Sequence, residues 1–112
     1  MYLNDVKLIG EVRDDAELKT LANGGAILNF TLVTTERFKD YKGEPIVRKE
    51  AFRVVAFNNI AKNTAPEGRL PAGTEVLVEG FLRSHTEVIE VIIRRLQIVQ
   101  TQGCREANLS EG

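Results

Sequence analysis

Three features of the 112-residue chain predict an all-β domain, a sandwich or a barrel. β-Branched and apolar runs of strand length recur at intervals of about 10 to 20 residues, turn residues separate them, and only one stretch has helical character. The first run, Leu3 to Val12, alternates Leu3, Asp5, Lys7 and Ile9 against Asn4, Val6, Leu8 and Gly10. Gly10 marks a bend or a bulge in it. Beyond the acidic break Asp14-Asp15, a short piece runs from Glu17 to Leu21. Asn23-Gly24-Gly25 then signals a tight turn that opens a hairpin, because these residues tolerate positive φ.

Ala26 to Thr34 is predicted to be a core strand, with Ala26, Leu28, Phe30 and Leu32 on one face and Ile27, Asn29, Thr31 and Val33 on the other. A polar connector, Lys39 to Pro45, leads into Val47 to Phe57, again of period two, so the pair forms one long hairpin. Ile60 to Ala65 is the helix candidate, ended by Pro66 and by the proline and glycine punctuation that continues to Gly73. Glu75 to Leu82 and Val88 to Val99 supply the last two strands. Residues 1–100 are read as the domain, and the polar residues 101–112 as a disordered tail. Five principal strands with one short helix between the third and fourth give the connectivity of an OB-fold. This small five-stranded Greek-key barrel commonly binds oligonucleotides or oligosaccharides on its face and loops. Fold alone does not give function, so the residues must carry that argument.

Composition removes several classes. At 43% apolar and 28% charged residues the chain suits one compact domain, not a disordered segment or a multi-domain enzyme. No apolar run approaches the roughly 18 residues of a membrane span, and the start lacks a secretory pattern. The expected location is therefore intracellular, in the cytoplasm. One cysteine, Cys104, and one histidine, His85, leave too few ligands for a zinc site and too few partners for a Ser/His/Asp or Cys/His device. No catalytic residue, metal or cofactor is expected. Asp14-Asp15-Ala16-Glu17 reads as a solvated acidic loop, and Asn23-Gly24-Gly25 is not a phosphate loop because no Gly-Lys-Ser/Thr follows it.

The total charge, 15 Lys and Arg against 16 Asp and Glu, argues against a protein that coats nucleic acid by bulk positive charge. Divided by segment it says something different. Residues 1–20 carry Lys7, Arg13 and Lys19 against five carboxylates, a net of −2, while residues 37–53 carry six cations against three carboxylates, a net of +3. Four of the seven Phe and Tyr residues, Phe38, Tyr41, Phe52 and Phe57, also lie on or beside this hairpin. Rings that stack on bases, interleaved with cations that neutralise phosphates, are what single-stranded nucleic acid requires. Parity groups Lys49, Ala51, Arg53, Val55 and Phe57 on one face and Phe52 with Val54 on the other. Phe38, between Arg37 and Lys39, is read as a binding ring and Phe52 as a core or interface residue. Phe57 stays open between the two roles, and Phe30 and Phe81 are assigned to the core.

Four segments in order, Asn23-Gly24-Gly25-Ala26 to Thr34, Arg37-Phe38-Lys39-Asp40, Glu50 to Phe57 and Val76 to Arg83, resemble bacterial single-stranded DNA-binding proteins over residues 3–99. The resemblance implies an OB-fold that binds unpaired DNA during replication, recombination and repair without catalysis. It implies Phe38 and Phe57 as stacking rings and Arg53 as a backbone-contacting cation. Lys19, Arg37, Lys39, Lys42, Lys49 and Arg83 would line the phosphate path. It further implies a homo-oligomer, a tetramer in preference to a dimer, joined through the first strand at Leu3, Asp5, Val6, Lys7 and Leu8 and through Phe52. Nucleoid association, with replication or repair proteins among the candidate partners, belongs to the same expectation.

The chain departs from the family pattern at Asp5, Ala51, Asn59 and Ala72, where the family carries basic residues or tryptophan. Its fourth hairpin is shortened to about Ser84-His85-Thr86-Glu87, and an acidic tip ending in Pro-Phe is absent from the sequence given. The missing cations imply a weaker affinity and a shallower salt dependence. The alternative reading is a protein similar to primosomal replication protein N, an accessory OB protein that binds single-stranded DNA and a replication helicase.

Overall fold

The computed structural model describes residues 1–100; the tail assigned to residues 101–112 lies outside them. The elements in chain order are β1 (Val6–Val12), β2 (Ala16–Glu17), β3 (Lys19–Thr20), β4 (Ala26–Lys39), β5 (Pro45–Phe57), α1 (Asn58–Thr64), β6 (Arg69–Leu70), β7 (Glu75–His85) and β8 (Val88–Gln100). The main sheet runs β1-β7-β8-β5-β4-β3, and β1 also pairs with β4, closing five strands into a barrel. β5 and β8 pair in parallel at Val54 with Val91 and Val55 with Ile92, whereas the other pairings described are antiparallel. This is the OB-fold predicted, with its helix between the third and fourth principal strands.

Alternation builds the core. Ala26, Leu28, Phe30 and Leu32 of β4 face inward against Val54 and Ala56 of β5, Val76 and Val78 of β7, and Val91 and Ile93 of β8. Each of these is buried, and removing their apolar surface from water supplies the main drive for closure. The helix packs Ala61 into the same core, and its buried Thr64 hydroxyl donates to the Ile60 carbonyl at 2.7 Å. Two bonds tie α1 to the turn before β4: Lys62 Nζ donates to the Gly24 carbonyl at 3.1 Å, and the Ala26 amide donates to Asn58 Oδ1 at 3.2 Å.

Two glycines permit the closure. At Gly10, β1 passes from β7 to β4, and a Cβ there would overlap the Val33 carbonyl. At Gly80 a Cβ would overlap the Ile92 carbonyl oxygen, and here the β7–β8 register shifts: Gly80 faces Ile93 while Glu79 faces Arg95, leaving Arg94 as the extra residue of a bulge.

The elements differ from the sequence reading in several places: β5 begins at Pro45, two residues before Val47, and β7 runs to His85, three residues past Leu82. β1 begins at Val6, so Leu3 and Asp5 precede it. Asn4 still binds the sheet, its amide donating to the Leu82 carbonyl at 2.8 Å and accepting from the Leu82 amide at 2.9 Å, in place of a backbone pair. The helix starts at Asn58, two residues before the predicted Ile60. β4 continues five residues past Thr34 because β5 offers it partners as far as Pro45, and the β4–β5 hairpin projects from the barrel as an arm. No residue between Val33 and Ala51 is buried. Phe81, assigned to the core, is outside it: Gly80 takes the inward position, so Phe81 is half-buried on the outer face beside Ile92.

Because the close approach at Gly80 is to backbone, no side-chain rotation can relieve it. Gly80→Ala is expected to destabilise the fold by about 1–3 kcal/mol, read as a lowered denaturant midpoint. A midpoint equal to that of the parent would remove the bulge's steric basis.

Candidate nucleic-acid interface

The thirteen pairs of the β4–β5 ladder, from Ile27↔Phe57 to Lys39↔Pro45, decide which hairpin residues share a face. Successive pairs alternate faces. The outer face carries Ile27, Asn29, Thr31, Val33, Thr35, Arg37 and Lys39 against Phe57, Val55, Arg53, Ala51, Lys49, Val47 and Pro45. It therefore holds Arg37, Lys39, Lys49 and Arg53 and not one carboxylate. The opposite face holds Glu36, Glu50 and Arg48, with Arg48 Nη1 3.9 Å from Glu36 Oε1. The hairpin's basic surplus thus lies on one side. Twelve steps of about 3.4 Å make this cationic track on the order of 40 Å long.

The barrel end of the track is aromatic. Phe57, half-buried, lies opposite Ile27, which pairs in turn with Lys19 of β3, so Lys19, Ile27 and Phe57 form one row across three strands. The Arg83 guanidinium stands 5.8 Å from the Phe57 ring centroid. A second row on the same face joins Asn29, Val55, Ile92 and Phe81, and Arg94 covers the Phe81 ring at 4.6 Å. Such guanidinium–ring pairs hold cations beside π-faces without removing their charge. An acidic loop borders the track: Asp14 and Asp15 line a cleft with Asn29, Thr31 and Arg53. Asp15 also has a structural task, since its Oδ1 accepts from the Ala72 amide at 2.7 Å.

The structure brings together Lys19, Arg37, Lys39, Lys49, Arg53, Phe57 and Arg83 on one continuous face. It does not bring Phe38 to them. Phe38 pairs with Ile46 on the opposite face of the arm, half-buried, with the Arg48 guanidinium 5.2 Å from its ring centroid. Lys42 sits in the turn, its Nζ 5.6 Å from the ring of the exposed Tyr41. Asp40 shapes that turn, its Oδ1 accepting from the amides of Lys42 and Glu44.

Of the residues expected at an oligomer interface, Val6, Leu8 and Phe52 are partly buried and pack against the barrel's own core. Lys7 is exposed. Leu8 and Phe52 also line a groove between β1 and the arm, together with Ile9, Thr34 and Glu50. Sequence reasoning did not place Phe81, assigned to the core, or Arg94 at the site, although the doublet Arg94-Arg95 beside the apolar run Val91-Ile92-Ile93 was the available signal.

The model of the single-strand binding protein family matches residues 3–99, and the chain belongs to this family. Single-stranded DNA-binding protein 1 of Chlorobaculum tepidum is 38% identical over 84 residues, covering 75% of this chain and 51% of its own length. The chain thus spans about half the length of the curated relative it matches. Among solved structures, the Plasmodium falciparum protein in complex with single-stranded DNA superposes with a TM-score of 0.72 at 26% identity, over 91% of this chain and 97% of that one. A deletion variant of the single-stranded DNA-binding protein from Thermus aquaticus gives a TM-score of 0.73 at 24% identity, over 91% and 53% of the two chains, and shows the shared fold.

Proposed function

We propose that the protein binds single-stranded DNA without reading its sequence, serves replication, recombination and repair in this way, and carries out no catalysis. One observation carries the reading: the β4–β5 register gathers Arg37, Lys39, Lys49 and Arg53 on one face without a carboxylate, in line with the rings of Phe57 and Phe81. Cations along the face neutralise phosphates, and bases stack on rings that have no hydrogen-bond pattern to read. Family membership and the DNA-bound relative from Plasmodium falciparum support it. The alternative, an accessory protein similar to primosomal replication protein N, is the weaker reading, because the family model and the 38% identical relative both belong to single-strand binding proteins.

The protein is further proposed to self-associate through β1. Among the described residues β1 pairs with β4 only at Glu11 and Val12, so from Val6 to Gly10 its side away from β7 is open to a strand of a second copy. The groove floored by Leu8 and Phe52 runs beside that open edge. A cytoplasmic, nucleoid-associated location accompanies this reading; no described helix is long and apolar enough to cross a membrane.

Titration of labelled oligothymidylate at several salt concentrations should show binding that weakens with salt and exceeds binding to duplex DNA. No binding at low salt, or preference for duplex, would sink the proposal. Arg53→Ala is expected to reduce the slope of log K against log salt by about 0.7, the contribution of one phosphate contact on a single strand. Phe57→Ala should cost about 1–3 kcal/mol of binding with little change in slope. Phe38→Ala, which changes a ring on the opposite face, should weaken binding less than Phe57→Ala does. A larger effect at Phe38 would mean that the strand wraps the far side of the arm. Solution mass then separates a tetramer from a dimer, and a monomer at micromolar concentration would overturn pairing through β1.

A further inference from the structure

We propose that the single strand does not end at Phe57 but continues over Phe81 and Arg94 into a groove between α1 and the second half of β8. This inference rests on the single-strand-binding reading and adds a subsite to it. Its origin lies in the barrel's topology. β5 and β8 pair in parallel only at two positions, after which β5 ends at Phe57 and the chain turns into α1. From Arg94 onward, the side of β8 that β5 had covered meets the helix instead of a strand. Helix and strand leave between them an open groove of about 380 Å³.

The lining is suited to a nucleotide. Arg94 and Arg95 supply two guanidiniums, Asn63 supplies an amide, and Ile60, Leu96 and Ile98 supply apolar wall. Among the described residues no carboxylate lines it. The bulge places the two arginines: regular pairing would set Arg94 opposite Glu79, whereas the bulge gives Glu79 to Arg95 and frees Arg94 to lie over the Phe81 ring. Arg94 therefore belongs to both the outer-face platform and the groove, making the two continuous. Bases take the apolar wall and the face of Phe81 that Arg94 uncovers as its guanidinium swings to a phosphate, and Arg95 takes a second phosphate. A single strand matches this lining with both its parts, phosphates for the guanidiniums and bases for the apolar wall, and it reaches the groove by following the cationic track already described.

The test uses the whole chain and an oligothymidylate series of about 4 to 16 nucleotides, the range of sites seen on one OB-fold. Arg94→Ala, and separately Asn63→Glu, which adds a carboxylate at an exposed helix position, should bind the longest oligonucleotides about five- to tenfold more weakly. For Arg94→Ala the salt slope should also fall by about 0.7. The shortest oligonucleotides, which the Phe57 end accommodates alone, should bind Asn63→Glu, a change confined to the groove, as they bind the parent. Thermal unfolding midpoints equal to the parent's confirm that both variants keep the fold. If both bind every length as the parent does while Arg53→Ala binds weakly, the groove subsite is wrong and the outer-face reading stands. If the parent binds no oligonucleotide, both fall together.

Discussion

The β4–β5 ladder is the constraint on which the rest of the structure depends. Side chains alternate with a period of two, so a slip of one residue would send every side chain to the opposite face. Near the barrel that slip would be costly: it would turn Leu28, Phe30, Leu32, Val54 and Ala56 out of the core and bring Asn29 and Arg53 in. Burying a guanidinium without a partner is far more expensive than losing a few exposed contacts. The buried half of the hairpin thus fixes the register, and the exposed arm inherits it. Not one arm residue is buried, yet the sorting of Arg37, Lys39 and Lys49 away from Glu36 and Glu50 is enforced by packing that begins five residues away along the chain, at Leu32 and Val54.

Closure imposes the second set of consequences. β1 must serve two neighbours, and Gly10 lets its backbone approach Val33 closely enough to pass from β7 to β4. β7 and β8 must curve around the same core, and the bulge at Gly80 takes up that curvature by adding a residue to β8. The added residue is Arg94. A device needed to bend a sheet therefore also sets the position of a guanidinium over Phe81, so that backbone geometry, packing and surface chemistry cannot be varied independently there.

What the sequence revealed and what it withheld divide along the same line. Local alternation exposed the five principal strands, the inward set of β4 and the shared face of Lys49, Arg53 and Phe57, because each depends only on neighbours two residues apart. Phe38 could not be placed that way. It shares the parity of the inward set Ala26, Leu28, Phe30 and Leu32, but the strand was read only to Thr34, and its continuation to Lys39 depends on the partners that β5 offers across the sheet. Phe81 was misjudged for a related reason: it lies in an apolar run, but Gly80 beside it occupies the inward position against the Ile92 backbone. Asn4 shows a third kind of blindness, since a polar side chain acting as a surrogate strand bond to Leu82 leaves no trace in hydropathy. The groove beside α1 was hidden because it exists only where the β5–β8 pairing stops.

A chain with one net negative charge is not an evident partner for a polyanion, and the resolution is one of length scale. Charges separated by more than about 8–10 Å are screened at physiological salt. Lys49 and Arg53 lie four residues apart on one strand face, and Arg37 and Lys39 two apart on its neighbour, about 13 Å and 7 Å along the strands. An approaching phosphate accordingly feels the cations nearest to it and little of the carboxylates across the arm. The acidic loop is the exception, because Asp14 and Asp15 share a cleft with Arg53. At that point the track is weakest in charge, and there the rings of Phe57 and Phe81 lie on the same face, each beneath an arginine. On the proposed reading, stacking carries binding where the local field is least favourable, and the field carries it along the arm, whose outer face has no ring between Phe57 and Lys39. Total charge describes neither region; the register and the bulge describe both.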